Sequence, residues 1–387
     1  LPVYCKHKLK QQVINMKNIK LPYRYDYVGS FLRPDDLKKI RADYEAGKTT
    51  YEALKEAEDT AIRDLVAKQK AAGYKLLTDG EFRRGWWHFD FMWGFNGVDH
   101  AAAAHRVAFH DEVTPADTAT VTGRISGENH PFVEHFKFVK QFEDENTVAR
   151  QTMPSPAQTR FVLTGNAAAY PYDEFYKNDD ELTADIVAAY RQVIADLYAA
   201  GCRNVQFDDC TWTRLCDASV RERLGWSDED ALRLQQENLD VINAVIADQP
   251  DDLVINTHVC RGNFHSTWLS SGGYAPVAAK LFGEENVDAY YLEFDDDRSG
   301  DFAPLAEVSG DKKVVLGLIT SKKPDLEDPD TIKARIQEAA QYIPLDRLCL
   351  STQCGFASTQ EGNKLTEDQQ WAKIALVQSI AKDVWGE

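Results

Sequence analysis

Two hydrophobic rhythms alternate along this chain from about residue 25 to its end. Short, nearly continuous apolar runs at Tyr25–Ser30, Leu76–Glu81, Asn204–Asp209, Leu253–Cys260, Ala289–Asp295, Lys313–Thr320 and Leu348–Cys354 read as strands covered on both faces. Between them, apolar residues recur at helical spacing: Asp35–Glu45, Tyr51–Ala72, Leu182–Ala200, Asp228–Ala247, Ala275–Leu281, Pro329–Tyr342 and Glu367–Val384. Gly201 is a normal stop signal for the helix before it. About eight strand–helix units in one chain predict a (β/α)8 TIM barrel, an α/β fold, rather than an open doubly wound sheet. No Gly-x-Gly-x-x-Gly follows the first strand, which argues further against a dinucleotide fold. Residues 86–150 break the rhythm and read as an inserted region of hairpin and loops. Residues 21–387 are expected to form one barrel. Residues 1–20 read as an extension, and Met16 as the natural start, so the first fifteen residues could be vector-derived or read-through sequence.

In such a barrel the C-terminal strand ends face the active site. Ser30, Glu81, Asp208, Asp209, His258, Cys260, Glu293 and Cys354 all fall at such ends. His258 and Cys260 are two apart, so on a strand they share a face. Glu293 and Cys354 close two other apolar runs. One imidazole, two thiols and a carboxylate make a complete tetrahedral zinc set, and thiolate-bound zinc suits the activation of an incoming thiol for alkylation. A carboxylate at the mouth, such as Glu81 or Asp208, is suited to gripping a substrate ammonium.

Each signal has a plainer reading. His-x-Cys alone is a weak motif, and Cys202, Cys210, Cys216 and Cys349 read as inert buried thiols. Arg83 and Arg84 read as surface partners of Glu81, Asp208-Asp209 as a helix-capping pair, and the 295–298 run Asp-Asp-Asp-Arg as a solvated loop. Trp86, Trp87 and Trp93 read as packing residues that could also line a pocket.

Composition narrows the function. The formal charge of −18 and pI near 5.0 repel phosphate backbones, so no nucleic-acid partner is expected. No apolar stretch approaches the ~20 residues needed to cross a bilayer, so no membrane partner is expected either. Seven cysteines in 387 residues are too sparse for a disulfide framework, and an odd count without a leader pattern points to the cytoplasm.

These residues resemble the catalytic half of cobalamin-independent methionine synthase, most of all the short bacterial proteins that have only that half, from about Tyr25 to Trp385. That family holds zinc by His-x-Cys, a Glu, and a Cys followed by Gly, which match His258, Cys260, Glu293 and Cys354. Its Ile-Gly-Ser segment matches Val28-Gly29-Ser30, its His-Gly-Glu carboxylate matches Glu81, and its Ile-Asp-Glu-Pro segment matches the run from Phe207 to Cys210. The resemblance implies a homocysteine pocket in which Asp208 and Glu81 take the amine and Ser30 lies near the carboxylate. The departures fall on the donor side. The family's proton-donating His is replaced by Thr320, a folate-contacting acid aligns near Arg214, and no folate-contacting Trp follows Pro156. The family's N-terminal half has no match. The reaction implied is methyl transfer to the homocysteine thiol, from a methyl-folate or a methyl-donor protein. Alkyl transfer to another thiol, such as a coenzyme M-type acceptor, and a non-catalytic zinc or thiol binder stay open. A zinc hydrolase fits less well, because two thiolates reduce Lewis acidity.

Overall fold

The computed structural model describes residues 22–386 apart from 104, 105 and 116; the expected N-terminal extension lies outside them. Its strands are β1 (Tyr25–Asp26), β2 (Leu76–Leu77), β3 (Asn96–Ala102), β4 (Asp117–Ser126), β5 (Val148–Ala149), β6 (Gln151–Pro154), β7 (Asn204–Asp209), β8 (Val254–Val259), β9 (Ala289–Glu293), β10 (Lys313–Ile319) and β11 (Leu348–Thr352). The main sheet runs β1-β11-β10-β9-β8-β7-β6, every pair parallel. β2 pairs with β5, again parallel, and only Arg150 separates β5 from β6. The ring closes between β1 and β2 without a ladder. The Phe31 amide donates to the Gly80 carbonyl at 3.1 Å, and the Thr78 hydroxyl to the Gly29 carbonyl at 2.8 Å. With β5 and β6 taken as one interrupted strand, the described residues form the eight-stranded parallel barrel that the alternation predicts.

Central strands such as β7, β9 and β11 are buried along their whole length, because helices cover their outer faces and other strands their inner ones. The floor of the barrel is polar but closed. Arg150 lies inside it, 2.7 Å from Asp26 Oδ2, and donates to Gln206 and to the Tyr291 hydroxyl. A buried ion pair of this kind is stable only when its remaining donors are used, as here.

Several of the longer helices start where the chain offers a side-chain cap and an acidic first turn. Ser227 and Asp230 form a capping box at Asp228–Ile246, and Thr366 and Gln369 another at Glu367–Trp385. The irregular region resolves into an antiparallel hairpin, β3 with β4, followed by helix Pro131–Lys140. The loop of this hairpin reaches back over the barrel mouth. A Cβ on Gly262 would lie 3.1 Å from the Phe109 ring, and the His110 amide donates to the Trp268 carbonyl at 2.9 Å. No helix among the described residues is long and apolar enough to cross a membrane.

Candidate metal centre and thiol pocket

Strands β8, β9 and β11 bring His258, Cys260, Glu293 and Cys354 together. One ligand atom from each lies within 4.8 Å of all the others, and all four residues are buried. Cys260 follows β8 directly and Cys354 stands two residues past β11, so the thiols come from the first turns of the loops. The two Sγ atoms are 3.7 Å apart. That is far beyond the ~2.05 Å of a disulfide. It is the separation expected of two sulfurs each ~2.3 Å from one tetrahedral ion, about 3.8 Å. His258 Nδ1 lies 3.1 Å from the Tyr291 carbonyl, which fixes its proton there. Nε2 is buried and has no hydrogen-bond partner among the described residues. A buried nitrogen lone pair left without a donor is costly, and a cation at the centre of the set removes that cost.

The thiols report the same need. Both are pushed well above the ordinary thiol range, Cys260 chiefly by the Cys210 thiol beside it and Cys354 chiefly by Cys260. A cation among them reverses the sign, because metal ligation requires and stabilises thiolate. Cys210 is therefore not an isolated core thiol: it packs with Cys260 and Cys354, and Trp87 leans on the group. It does not join the four mutually close ligand atoms.

Glu293 is held from both sides. Its Oε1 accepts the Arg261 amide at 2.9 Å, and Arg298 Nη2 stands 3.4 Å from Oε2. The 295–298 segment differs here from the solvated loop expected of it. The Asp295 and Arg298 side chains are buried and paired at 2.8 Å, and only Asp297 is exposed. Burial alone would raise the Asp295 carboxyl; Lys322 and Arg298 outweigh it and hold it below the usual range.

On the other side of the mouth lie the expected substrate residues. Glu81 adopts a left-handed backbone, φ 62°, uncommon for a side chain of its size and a form of stored strain. Its Oε1 accepts the Thr152 hydroxyl at 2.9 Å and faces Arg84 at 3.1 Å, while Oε2 is buried without a partner. Arg84 is 1% exposed, not a surface residue, and bonds Thr152 as well; Arg83 pairs with Glu58 and Asp59 instead of Glu81. Asp208 accepts Gln206 Nε2 at 2.9 Å, and the same amide donates to the Val28 carbonyl at 2.7 Å. Burial raises Asp208 well above the carboxylate range, and Glu81 raises it further. Burial raises Glu81 too, against the pull of Arg84 and Arg33.

Val28, Gly29 and Ser30 join the two sides. A Cβ on Gly355, the residue after Cys354, would fall 1.9 Å from Ser30 Oγ, so only glycine permits this approach. Asp209, next to Asp208, turns away and caps the following helical turn through the Thr211 amide. Trp86 and Trp93 donate to Asp117 and to the Thr118 carbonyl of the hairpin, which is packing; Trp87 alone of the three reaches the thiols. Thr320 accepts the Lys322 amide at 3.3 Å, and Arg214 lies over the Phe161 ring at 4.2 Å. Sequence patterning gave no weight to Lys322, Thr152 or Gln206. Their roles depend on partners far along the chain, and no local pattern marks them.

Residues 26–375 match the family model of the cobalamin-independent synthase catalytic domain. An uncharacterised Bacillus subtilis (strain 168) protein, YxjH, is 44% identical over 370 residues, 95% of this chain and 96% of its own. A methionine synthase of Saccharolobus solfataricus is 23% identical over 336 residues, 85% of this chain and 86% of its own. Among solved structures, a Listeria monocytogenes protein described as a candidate vitamin-B12 independent methionine synthase is 36% identical with a TM-score of 0.77, covering 96% of this chain and 100% of that one. A B12-independent methionine synthase from Shewanella sp. W3-18-1 shares the fold at 20% identity and a TM-score of 0.68, covering 93% and 97%. The chain belongs to the family of the cobalamin-independent synthase catalytic domain, and it is a methyltransferase.

Proposed function

We propose that this chain holds one zinc ion through His258, Cys260, Glu293 and Cys354 and methylates the thiol of homocysteine. The observation that carries the reading is the pairing of two sites across Ser30 and Gly355. One is a four-ligand set with its sulfurs 3.7 Å apart. The other is a buried carboxylate pair, Glu81 and Asp208, with one oxygen left open.

When bound, zinc lowers the pKa of a coordinated thiol, so that a thiolate exists at neutral pH. The rest is done by the chain. Asp208 and Glu81 receive the substrate ammonium, which neutralises two buried acids whose protons are otherwise favoured by burial. Ser30 and its neighbouring amides lie where the substrate carboxylate ends. Held at both ends, the sulfur is delivered to the metal side of the pocket, and orientation of this kind contributes several kcal/mol to a bimolecular step. The hairpin loop carrying Phe109 over Gly262 helps to exclude water.

The family supports methyl transfer, and the methionine synthase relatives support homocysteine as acceptor. The donor side favours a partner that brings its own binding surface over a free methyl-folate, since Thr320 and Arg214 stand where the resemblance leads one to expect a proton-donating His and an acid. A panel of donors, methyl-folate polyglutamate and methylated cobalamin protein included, tested with zinc-loaded enzyme and homocysteine and read as methionine, decides it. Methionine from none of them, with zinc and homocysteine both bound, overturns the homocysteine-methylation reading. Steady-state turnover with free methyl-folate at an ordinary kcat/KM of about 10⁴–10⁸ M⁻¹s⁻¹ overturns the donor preference.

A further inference from the structure

Among the described residues, Lys322 is the one ammonium paired with a member of the candidate metal set, and its placement is unusual. The residue is 5% exposed. Its Nζ is buried and has no hydrogen-bond partner among the described residues. It stands 3.8 Å from Glu293 Oε2 and 3.8 Å from Asp295 Oδ2, just beyond bonding reach of both. An ammonium carries three donors, and burying it with none of them used is costly. The same chain closes such a pair elsewhere. Lys373, whose side chain is fully buried, lies 3.0 Å from both oxygens of Glu327. The Lys322 contact stays open instead, on a segment anchored by hydrogen bonds. Its amide is tied to Thr320, the Ser321 hydroxyl donates to the Gly355 carbonyl at 2.8 Å, and Asn263 donates to that same carbonyl. Arg298 lies closer to Asp295, at 2.8 Å, than to Glu293, at 3.4 Å, so Glu293 has room for a tighter cation contact.

We infer that Lys322, aided by Arg298, is a positioning residue that provides a second seat for the Glu293 carboxylate when a substrate thiol takes that carboxylate's place in the four-ligand set. The inference rests on the proposed function. Among the four, Glu293 is the only oxygen donor and the one flanked by cations, so it is the ligand that can leave. The exchange balances simply. The thiol enters as R–SH and gives its proton to solvent; the thiolate occupies the vacated position; Glu293 remains an ionised carboxylate and closes on Lys322 Nζ. No carbon bond changes and no electron is transferred. The approach needed is about 1 Å, from 3.8 Å to the ~2.8 Å of a charge-assisted bond. Without Lys322 the departing carboxylate would be stranded in a buried site with only Arg298, already committed to Asp295 and Asp296, to meet it.

The test uses the full chain loaded with cobalt(II), whose sulfur-to-metal absorption rises with each thiolate bound, titrated with homocysteine. In the wild type a new thiolate band grows with saturation. Lys322→Met, apolar and of similar length, should bind cobalt without thiol to within about threefold of wild type. Its homocysteine affinity should fall about tenfold or more, the range of one hydrogen bond to a charged group. Lys322→Arg should restore it. In a Glu293→Gln background, where no carboxylate needs a seat, Lys322→Met should change the thiol affinity no further. Equal homocysteine affinity in Lys322→Met and wild type, or an undiminished effect in the Glu293→Gln background, overturns the inference and leaves the proposed function standing. A wild type that shows no new thiolate band overturns both. Should Lys322→Met fail to fold, Lys322→Gln is read by the same bounds.

Discussion

The two sides of the barrel mouth are both short of positive charge, and they are short in different ways. On one side His258, Cys260, Glu293 and Cys354 converge on a point, with ligand atoms within 4.8 Å of one another. Nothing larger than a bare ion fits such a centre. On the other side Glu81 and Asp208 are spaced by a shell of neutral donors, Thr152 and Gln206, with Arg84 taking one oxygen. There the open oxygen invites a cation that brings hydrogen-bond donors of its own. A divalent metal suits the first and an ammonium the second. The two sides meet at Ser30 and Gly355, where the proposed amino-acid thiol would span them.

The largest effect that separates the two sides is metal content. Wild-type protein purified without chelator should contain about one zinc per chain by elemental analysis, and Cys260→Ser with Cys354→Ser should contain none. Stripping the metal from wild type should lower Tm by several degrees, since a ligand bound only by the folded state stabilises it by mass action. Asp208→Asn should keep its zinc. Loss of zinc on that substitution would mean that the two sides are one site.

Asp208→Asn should instead act on the substrate. Homocysteine affinity measured by calorimetry should fall about tenfold or more, the range of one charge-assisted bond. Affinity for 4-mercaptobutyrate, which lacks the amine, should not change; an equal loss for both ligands would remove the ammonium from the account. The pH dependence carries the same information. The folded-state pKa of Asp208 is raised, so the folded protein binds more protons than the unfolded chain once pH passes the ordinary aspartate value. The stability held at low pH is then lost as pH rises through the folded value. Urea unfolding of thiol-free protein should show this decline as pH rises above the ordinary aspartate value, and Asp208→Asn should flatten it.

How much of this was legible depends on how local the signal is. Helix Asp35–Glu45 and strand Asn204–Asp209 match the expected bounds residue for residue, because their periodicity is complete within the segment. The strands expected to reach Cys260 and Cys354 end one and two residues earlier. There the apolar pattern continues into loops that fold into the mouth and are buried like strands. Helices Pro131–Lys140 and Pro156–Gly165 went unread although each opens with proline behind a capping residue, His130 or Ser155. Within the site, residues at strand ends were visible as a set. Arg84 and Lys322 were not, since groups that hold these buried charges lie tens of residues away, as Thr152 does from Arg84 and Glu293 from Lys322.

A smaller effect tests the joint between the two sides. Gly29 sits at φ 149°, and a Cβ there would lie 2.8 Å from the Thr152 methyl. Gly29→Ala should destabilise by about 1–3 kcal/mol through the backbone and that contact. Because Thr152 bonds both Glu81 and Arg84, homocysteine affinity should also fall, while zinc content holds. Unchanged affinity would show that Thr152 moves without disturbing Glu81.

The smallest effect is expected at Cys210, the thiol that touches the metal side without belonging to it. It packs with Cys260 and Cys354 under Trp87, yet its sulfur is not among the four mutually close ligand atoms. Cys210→Ser should therefore keep about one zinc per chain. It replaces a weakly polar buried sulfur by a hydroxyl, a change on the order of 1 kcal/mol when the hydroxyl finds no partner. In the metal-loaded protein the Cys260 sulfur is a thiolate, which a serine hydroxyl can bond, so even that cost shrinks. Metal content and Tm of the loaded protein measured side by side check this. A variant that loses its zinc would make Cys210 a ligand and shift the centre of the set away from Glu293, and with it the distinction between the two sides from which the proposed chemistry follows.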